Sequence, residues 1–252
     1  MSVPQFGTGV LFAVPNAGNL AANPTPYKYG VLQEASIEFK GDLKKLYGTK
    51  QFPVAKARGK IDVSCKAKLA SLDPGMINQL YFGQLQTSGI TIAAEDEAAI
   101  IPGTPFQVVV TNGAHFVTDF GVIDTATGAQ LTKVPLATTP TTGQYHVDPA
   151  TGTYTFAAAD TTKAVKISYT YTLAATGATI TLANQSMGYA PEFRGFLFNN
   201  FRGKRFGIEL LSCTMGQLTI PTKQEDFWMS DITFDAGVDA TDTLGYIYGD
   251  LF

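Results

Sequence analysis

Histidine, cysteine, tryptophan and charge are all scarce in this 252-residue chain. The two histidines, His115 and His146, stand in no metal-ligand spacing, so neither a metal centre nor a cofactor site is expected. Two cysteines, Cys65 and Cys213, are too few for a disulfide framework; both fall on expected strands and read as buried thiols. No nucleophile elbow, phosphate-binding glycine loop or Cys–His pairing occurs, so no enzyme is expected. Charged residues make up 15%, against about 25% in an ordinary globular protein. The net charge of −3 excludes a protein that grips phosphates through a general basic excess. No apolar run approaches the roughly 20 residues of a membrane span. Residues 1–12 lack a basic region ahead of their short apolar stretch, so no signal peptide is expected and the chain reads as made in a reducing cytoplasm.

What charge there is lies in a pattern. In residues 30–69, Ala35, Ile37 and Phe39 alternate with Glu34, Ser36, Glu38 and Lys40. Then Ile61, Val63, Cys65, Ala67 and Leu69 alternate with Lys60, Asp62, Ser64, Lys66 and Lys68. A period of two predicts strands with one dry and one wet face. A second polar-faced hairpin is expected over residues 204–239. Between the first two strands, residues 41–60 read as a long irregular connection, of the kind that forms interfaces. Residues 1–29, with four prolines, read as an extended arm.

One helix is expected: Asp73 caps it, Pro74 opens it, Met76, Ile77, Leu80 and Tyr81 form its apolar stripe, and Gly83 ends it. The acidic triplet Glu95, Asp96 and Glu97 reads as a solvated loop. From residue 103 to 172 charge falls and Thr and Ala rise. Two matched turns, Asp124 to Gly128 and Asp148 to Gly152, join short strands in a Greek-key-like, immunoglobulin-like β module. Flanking texture is similar on both sides. The domains are therefore expected as 1–102 with 173–252, interrupted by an insertion at 103–172.

Several segments in order resemble the major tail tube proteins of tailed bacteriophages: residues 31–48 and 51–60, 152–160 with 167–171, 184–188, 201–204 and 218–227. The resemblance implies a mainly β fold, two packed antiparallel sheets closing toward a barrel with one flanking helix. It implies a homohexameric ring, rings stacked into a virion tail tube, and partners in a tape measure protein and tail tip or baseplate proteins. Double-stranded DNA would pass without tight binding, and no membrane would be involved. Glu34, Ser36, Glu38, Lys40, Lys60, Asp62, Ser64, Lys66 and Lys68 would then face the channel. Phe6, Phe12, Leu46, Tyr47 and Phe52 would make contacts between subunits. The type VI secretion tube shares this architecture and is one alternative. A capsid decoration or host-surface binding protein, using the immunoglobulin-like module, is the other.

Overall fold

The computed structural model describes residues 7–16 and 25–250. Strands dominate: β1 Val10–Pro15, β2 Tyr27–Lys28, β3 Leu32–Tyr47, β4 Pro53–Leu69, β5 Gln86–Ile100, β6 Gln107–Val109, β7 Phe116–Asp124 and β8 Thr132–Lys133. They continue with β9 Gln144–Asp148, β10 Thr153–Phe156, β11 Ala164–Ile180, β12 Glu192–Phe201, β13 Lys204–Thr219, β14 Ser230–Gly237 and β15 Gly245–Gly249. The chain divides into two compact units, Met1–Leu85 with Thr181–Phe252, and Gln86–Ile180.

In the first unit all strands belong to one antiparallel sheet of order β2-β1-β12-β13-β14-β4-β3, with β15 on the other half of long β13. The expected pair of packed sheets is here a single hydrogen-bonded one. Its end strands β2 and β3 are not paired with each other, and no closed barrel is found among the described residues. One core cluster joins Leu11, Tyr29, Leu69, Phe193, Ile232 and Phe234 to the helical segment through Met76 and Leu80.

That segment begins as the sequence predicts. The Asp73 carboxylate accepts from the backbone N–H of Gly75 (2.7 Å) and Met76 (3.1 Å). Pro74–Ile77 form a short α-helix, α1, that widens into one π turn, Asn78–Phe82. Gly83 closes it at φ +60°, a left-handed conformation that glycine adopts without strain. Buried Asn78 completes the stop, its amide donating to the Gln84 carbonyl and its oxygen accepting from Gln84 N–H. Cys65 and Cys213 are free and buried, and burial pushes both thiols up to about 12. Beside them Tyr29 is buried with no hydrogen-bond partner on its hydroxyl among the described residues, and burial raises its pKa strongly.

The second unit has its own core of Val122, Tyr145, Tyr154, Ile167, Tyr169 and neighbours. A four-stranded sheet, β6-β10-β9-β8, and a three-stranded one, β5-β11-β7, supply it. The two Asp–Gly turns close in the same way: Gly128 N–H donates to the Asp124 carbonyl and Gly152 N–H to that of Asp148, with positive φ at both glycines. This unit is wider than residues 103–172. Strands β5 and β11 pair from Ile100 with Ala164 to Gln86 with Ile180, so sequence outside the Thr-rich stretch is hydrogen-bonded into it. The acidic triplet is consequently strand and not loop. Asp96, at positive φ beside a register shift, ion-pairs with Lys166 at 2.9 Å, and Glu97 accepts from Tyr169 Oη and Thr111 N.

Candidate functional site

The nine expected wall residues lie on adjacent strands of the first unit. Cross-strand pairing sets Glu34 opposite Lys68, Ser36 opposite Lys66, Glu38 opposite Ser64 and Lys40 opposite Asp62. The alternate pairs, Ala35–Ala67, Ile37–Cys65 and Phe39–Val63, point the other way, toward the core at their inner end. Lys60 sits just past a register shift between the Gly41–Ile61 and Leu43–Arg58 pairs. Strand β14 adds a third column that sequence analysis left out of the wall: Asp231 opposite Lys68, Thr233 opposite Lys66, Asp235 opposite Ser64. Lys68 is thus bracketed by two carboxylates, Glu34 at 3.6 Å and Asp231 across the strand. Opposite charges facing each other across a sheet hold it together while cancelling its field. Four lysines meet five carboxylates on this face, which is close to neutral.

Beyond the wall, residues 41–60 are not an irregular connection. Both strands run on, with Leu43 opposite Arg58, Lys44 opposite Ala57, Lys45 opposite Lys56 and Leu46 opposite Ala55, and only residues 48–52 form the turn. The register shift gives β4 one residue more than β3 between Gly41 and Leu43, which breaks the two-residue period and makes a strand read as a loop. From residue 38 to 62 every side chain is exposed except Pro53, which is half-buried. Leu46 and Phe52 stand 66% and 82% exposed, and Leu43, Tyr47 and Val54 are exposed with them. A bare two-stranded ribbon is marginal in water. This one also sets two lysines directly opposite each other, which is unfavourable.

The charge of this ribbon is lopsided. Residues 40–60 hold seven cations, Lys40, Lys44, Lys45, Lys50, Lys56, Arg58 and Lys60, and one anion, Asp42. Among the described residues, the only ion pair formed by any of these cations is Lys44 with Asp42.

Of the other expected contact residues, Phe6 lies outside the described residues. Phe12 lies on β1 opposite Phe196, in an aromatic surface stripe that sequence analysis missed. Phe196 stacks on Phe198 and Phe198 on Tyr248, and a groove of about 630 Å³ beside them is lined by Val10, Phe12, Phe198, Asn199, Phe206 and Tyr248. Nearly buried Glu209 anchors the stripe. It accepts from Tyr248 Oη at 2.6 Å, which raises the tyrosine's pKa, and it ion-pairs with Arg194, whose guanidinium lies 5.4 Å from the Phe196 ring. The register of β12, β13 and β15 brings these residues together across more than 50 positions of sequence, so no local period announces them.

The second unit holds one dense polar cluster. The Asp119 carboxylate, 3% exposed, accepts from Tyr145 and Tyr154 hydroxyls at 2.9 Å each, from Gly121 N–H at 3.0 Å, and from Lys133 at 3.0 Å. Burial and the facing carboxylate raise both tyrosine pKa values. Every lone-pair direction of Asp119 is engaged by the fold, which marks it as a structural centre with no acceptor capacity left for a substrate. Among the described residues no three His, Cys, Asp or Glu side chains group closely enough to hold a metal ion, and no helix is long and apolar enough to cross a membrane.

No protein-family model matches the chain, and no curated protein matches it.

Proposed function

We propose that this chain is a structural protein whose copies assemble into hexameric rings, and rings into a tube of the phage tail type. The observation that carries this reading is the β3–β4 ribbon. It extends past the core, exposes five large apolar side chains and faces like charges across its strands. Such a ribbon is costly to leave in water and is stabilised by a neighbour that covers it. The end strands β2 and β3, which have no further strand partner among the described residues, fit the same reading, because ring closure would pair such edges. In that assembly the wall of Glu34, Ser36, Glu38, Lys40, Lys60, Asp62, Ser64, Lys66 and Lys68, with Asp231 and Asp235, lines the channel. A nearly neutral, hydrated wall offers DNA few net cationic contacts, and phosphate affinity scales with the number of such contacts. The tape measure protein and the tail tip or baseplate proteins are the further partners this reading implies, with the virion tail as its place.

Sedimentation velocity over a wide concentration range tests the proposal. Assembly-competent protein gives species growing well beyond the 26.9 kDa chain. A monomer at every concentration and ionic strength refutes it.

A further inference from the structure

The four-stranded sheet of the second unit carries a pocket of about 360 Å³ on its outer face. On β9 and β10, Tyr145, Val147, Tyr154 and Phe156 belong to the core, so the residues that alternate with them, His146 and Thr155, point outward. These two are direct cross-strand partners, and Gln107 on β6 faces Thr155 from the other side. His146 and Thr155 line the pocket together with Phe106, Leu136 and Pro140.

Both polar groups have one hydrogen-bonding position engaged and one open. His146 Nδ1 lies 3.0 Å from the Thr138 carbonyl oxygen, which can only accept, so Nδ1 carries the ring proton. In the neutral imidazole Nε2 is then an acceptor, and it has no partner among the described residues. Thr155 Oγ1 accepts from Gln107 Nε2 at 3.2 Å, while its own O–H has no acceptor among the described residues. The surroundings are already in place. Residues 136–140 are tied down by the His146 bond and by Thr138 N–H on the Pro135 carbonyl at 2.9 Å. Phe106 is fixed at both backbone groups, donating to the Gly103 carbonyl and accepting from Phe156 N–H, each at 2.9 Å. It holds φ +61°, a left-handed conformation that is rare for a bulky residue and that clusters at ligand sites.

This chemistry selects a ligand class. No residue lining the pocket is Asp, Glu, Lys or Arg, so a phosphate, carboxylate or ammonium group would lose its hydration without gaining a counter-charge. A plain hydrocarbon would leave the imidazole nitrogen and the hydroxyl unpaired. An uncharged ring with an apolar face and neighbouring hydroxyls satisfies both, one hydroxyl donating to His146 Nε2 and the next accepting from Thr155. The volume lies at the low end of ligand cavities, which run from about 300 to 1,000 Å³, and suits a single ring. We propose that this pocket binds one neutral hexopyranose, free or at the end of a glycan, with Phe106 and Leu136 against its apolar face. Every lining residue belongs to the second unit, so binding does not depend on assembly.

Saturation-transfer difference NMR on the full chain tests this with the methyl glycosides of glucose, galactose and mannose in both anomeric forms. At least one takes up saturation from the protein. Thr155→Val keeps the side-chain shape, removes the hydroxyl and weakens that binding roughly two- to tenfold. His146→Ala weakens it at least as much and serves as the second variant should Thr155→Val fail to fold by circular dichroism. Thr153→Val, on the same strand but outside the pocket lining, leaves binding unchanged. No transfer from any of the glycosides, or a folded pocket variant that binds like the wild type, overturns the proposal. So does tighter binding of glucuronate or glucosamine than of the methyl glucosides, because the pocket would then recognise charge. Competition by the matching soluble polysaccharide, dextran, galactan or mannan, assigns the sugar to a glycan end, and its absence assigns a free sugar; either result supports the site. Loss of self-association in Leu136→Ser, with no sugar bound by the wild type, assigns the pocket to a second copy and overturns the proposal.

Discussion

Replacing Leu46, Tyr47 and Phe52 together by serine separates an interface role from a folding role. All three are more than half exposed, Phe52 at 82% and Leu46 at 66%. Fully burying a large apolar side chain is worth about 1.5–3 kcal/mol. With more than half of each surface still open to water, about 1–2 kcal/mol per residue remains to be gained on assembly. The triple variant therefore forfeits about 3–6 kcal/mol per contact, and with tenfold per 1.4 kcal/mol the concentration needed for elongation rises by roughly a hundredfold to ten-thousandfold. The same side chains contribute little to the isolated fold, where exposed substitutions usually shift stability by about 0.5 kcal/mol or less each. Light scattering against concentration measures the first quantity and thermal melting of dilute protein the second. An unchanged elongation threshold would refute the argument. So would a threshold shift matched by an equal loss of monomer stability, because the tip would then belong to the fold and not to a contact.

Four further outcomes follow from the packing. Leu80→Ala, in the core under the sheet, costs about 2–5 kcal/mol of unfolding free energy in the first unit, read from denaturant titration. Asp73→Ala removes the cap on Gly75 and Met76 and costs about 0.5–2 kcal/mol by the same measurement. Cys65 and Cys213 have folded pKa values near 12 against an ordinary value near 9, so the folded state holds protons that the unfolded state releases above pH 9. Their contribution is complete below about pH 9 and is lost as pH rises from 9 toward 12; unfolding midpoints that rise across that window would contradict this. Asp119→Ala strands the Tyr145 and Tyr154 hydroxyls in the second core and costs several kcal/mol, whereas a melt unchanged from wild type would show the cluster to be dispensable.

The parts of this fold that follow local rules were legible in the sequence. The Asp73 cap, the Pro74 start, the Gly83 stop and the two Asp–Gly turns each depend on residues within a few positions of one another. The alternation across residues 34–40 and 60–68 likewise placed the wet face. What was hidden depends on register. One shift between Gly41–Ile61 and Leu43–Arg58 inverts the alternation on one strand only, so sixteen- and seventeen-residue strands looked like a hairpin with a long loop. Glu95, Asp96 and Glu97 looked like a solvated loop because their partners, Thr111, Lys166 and Tyr169, arrive from two other elements. Asp231 and Asp235 joined the wall only once β14 was paired with β4, and the Phe196–Phe198–Tyr248 stripe needs three strands in register. The charge on the ribbon was visible in composition throughout; its meaning depends on knowing that residues 41–60 project as strand.

Electron microscopy of the purified protein in negative stain is the sharpest test of the proposed assembly of copies into a tube. If copies of the chain build a conduit, the images contain rings or tubes with a central channel and sixfold end views. Fields of isolated monomers or trimers, at concentrations where the chain remains folded, would contradict it.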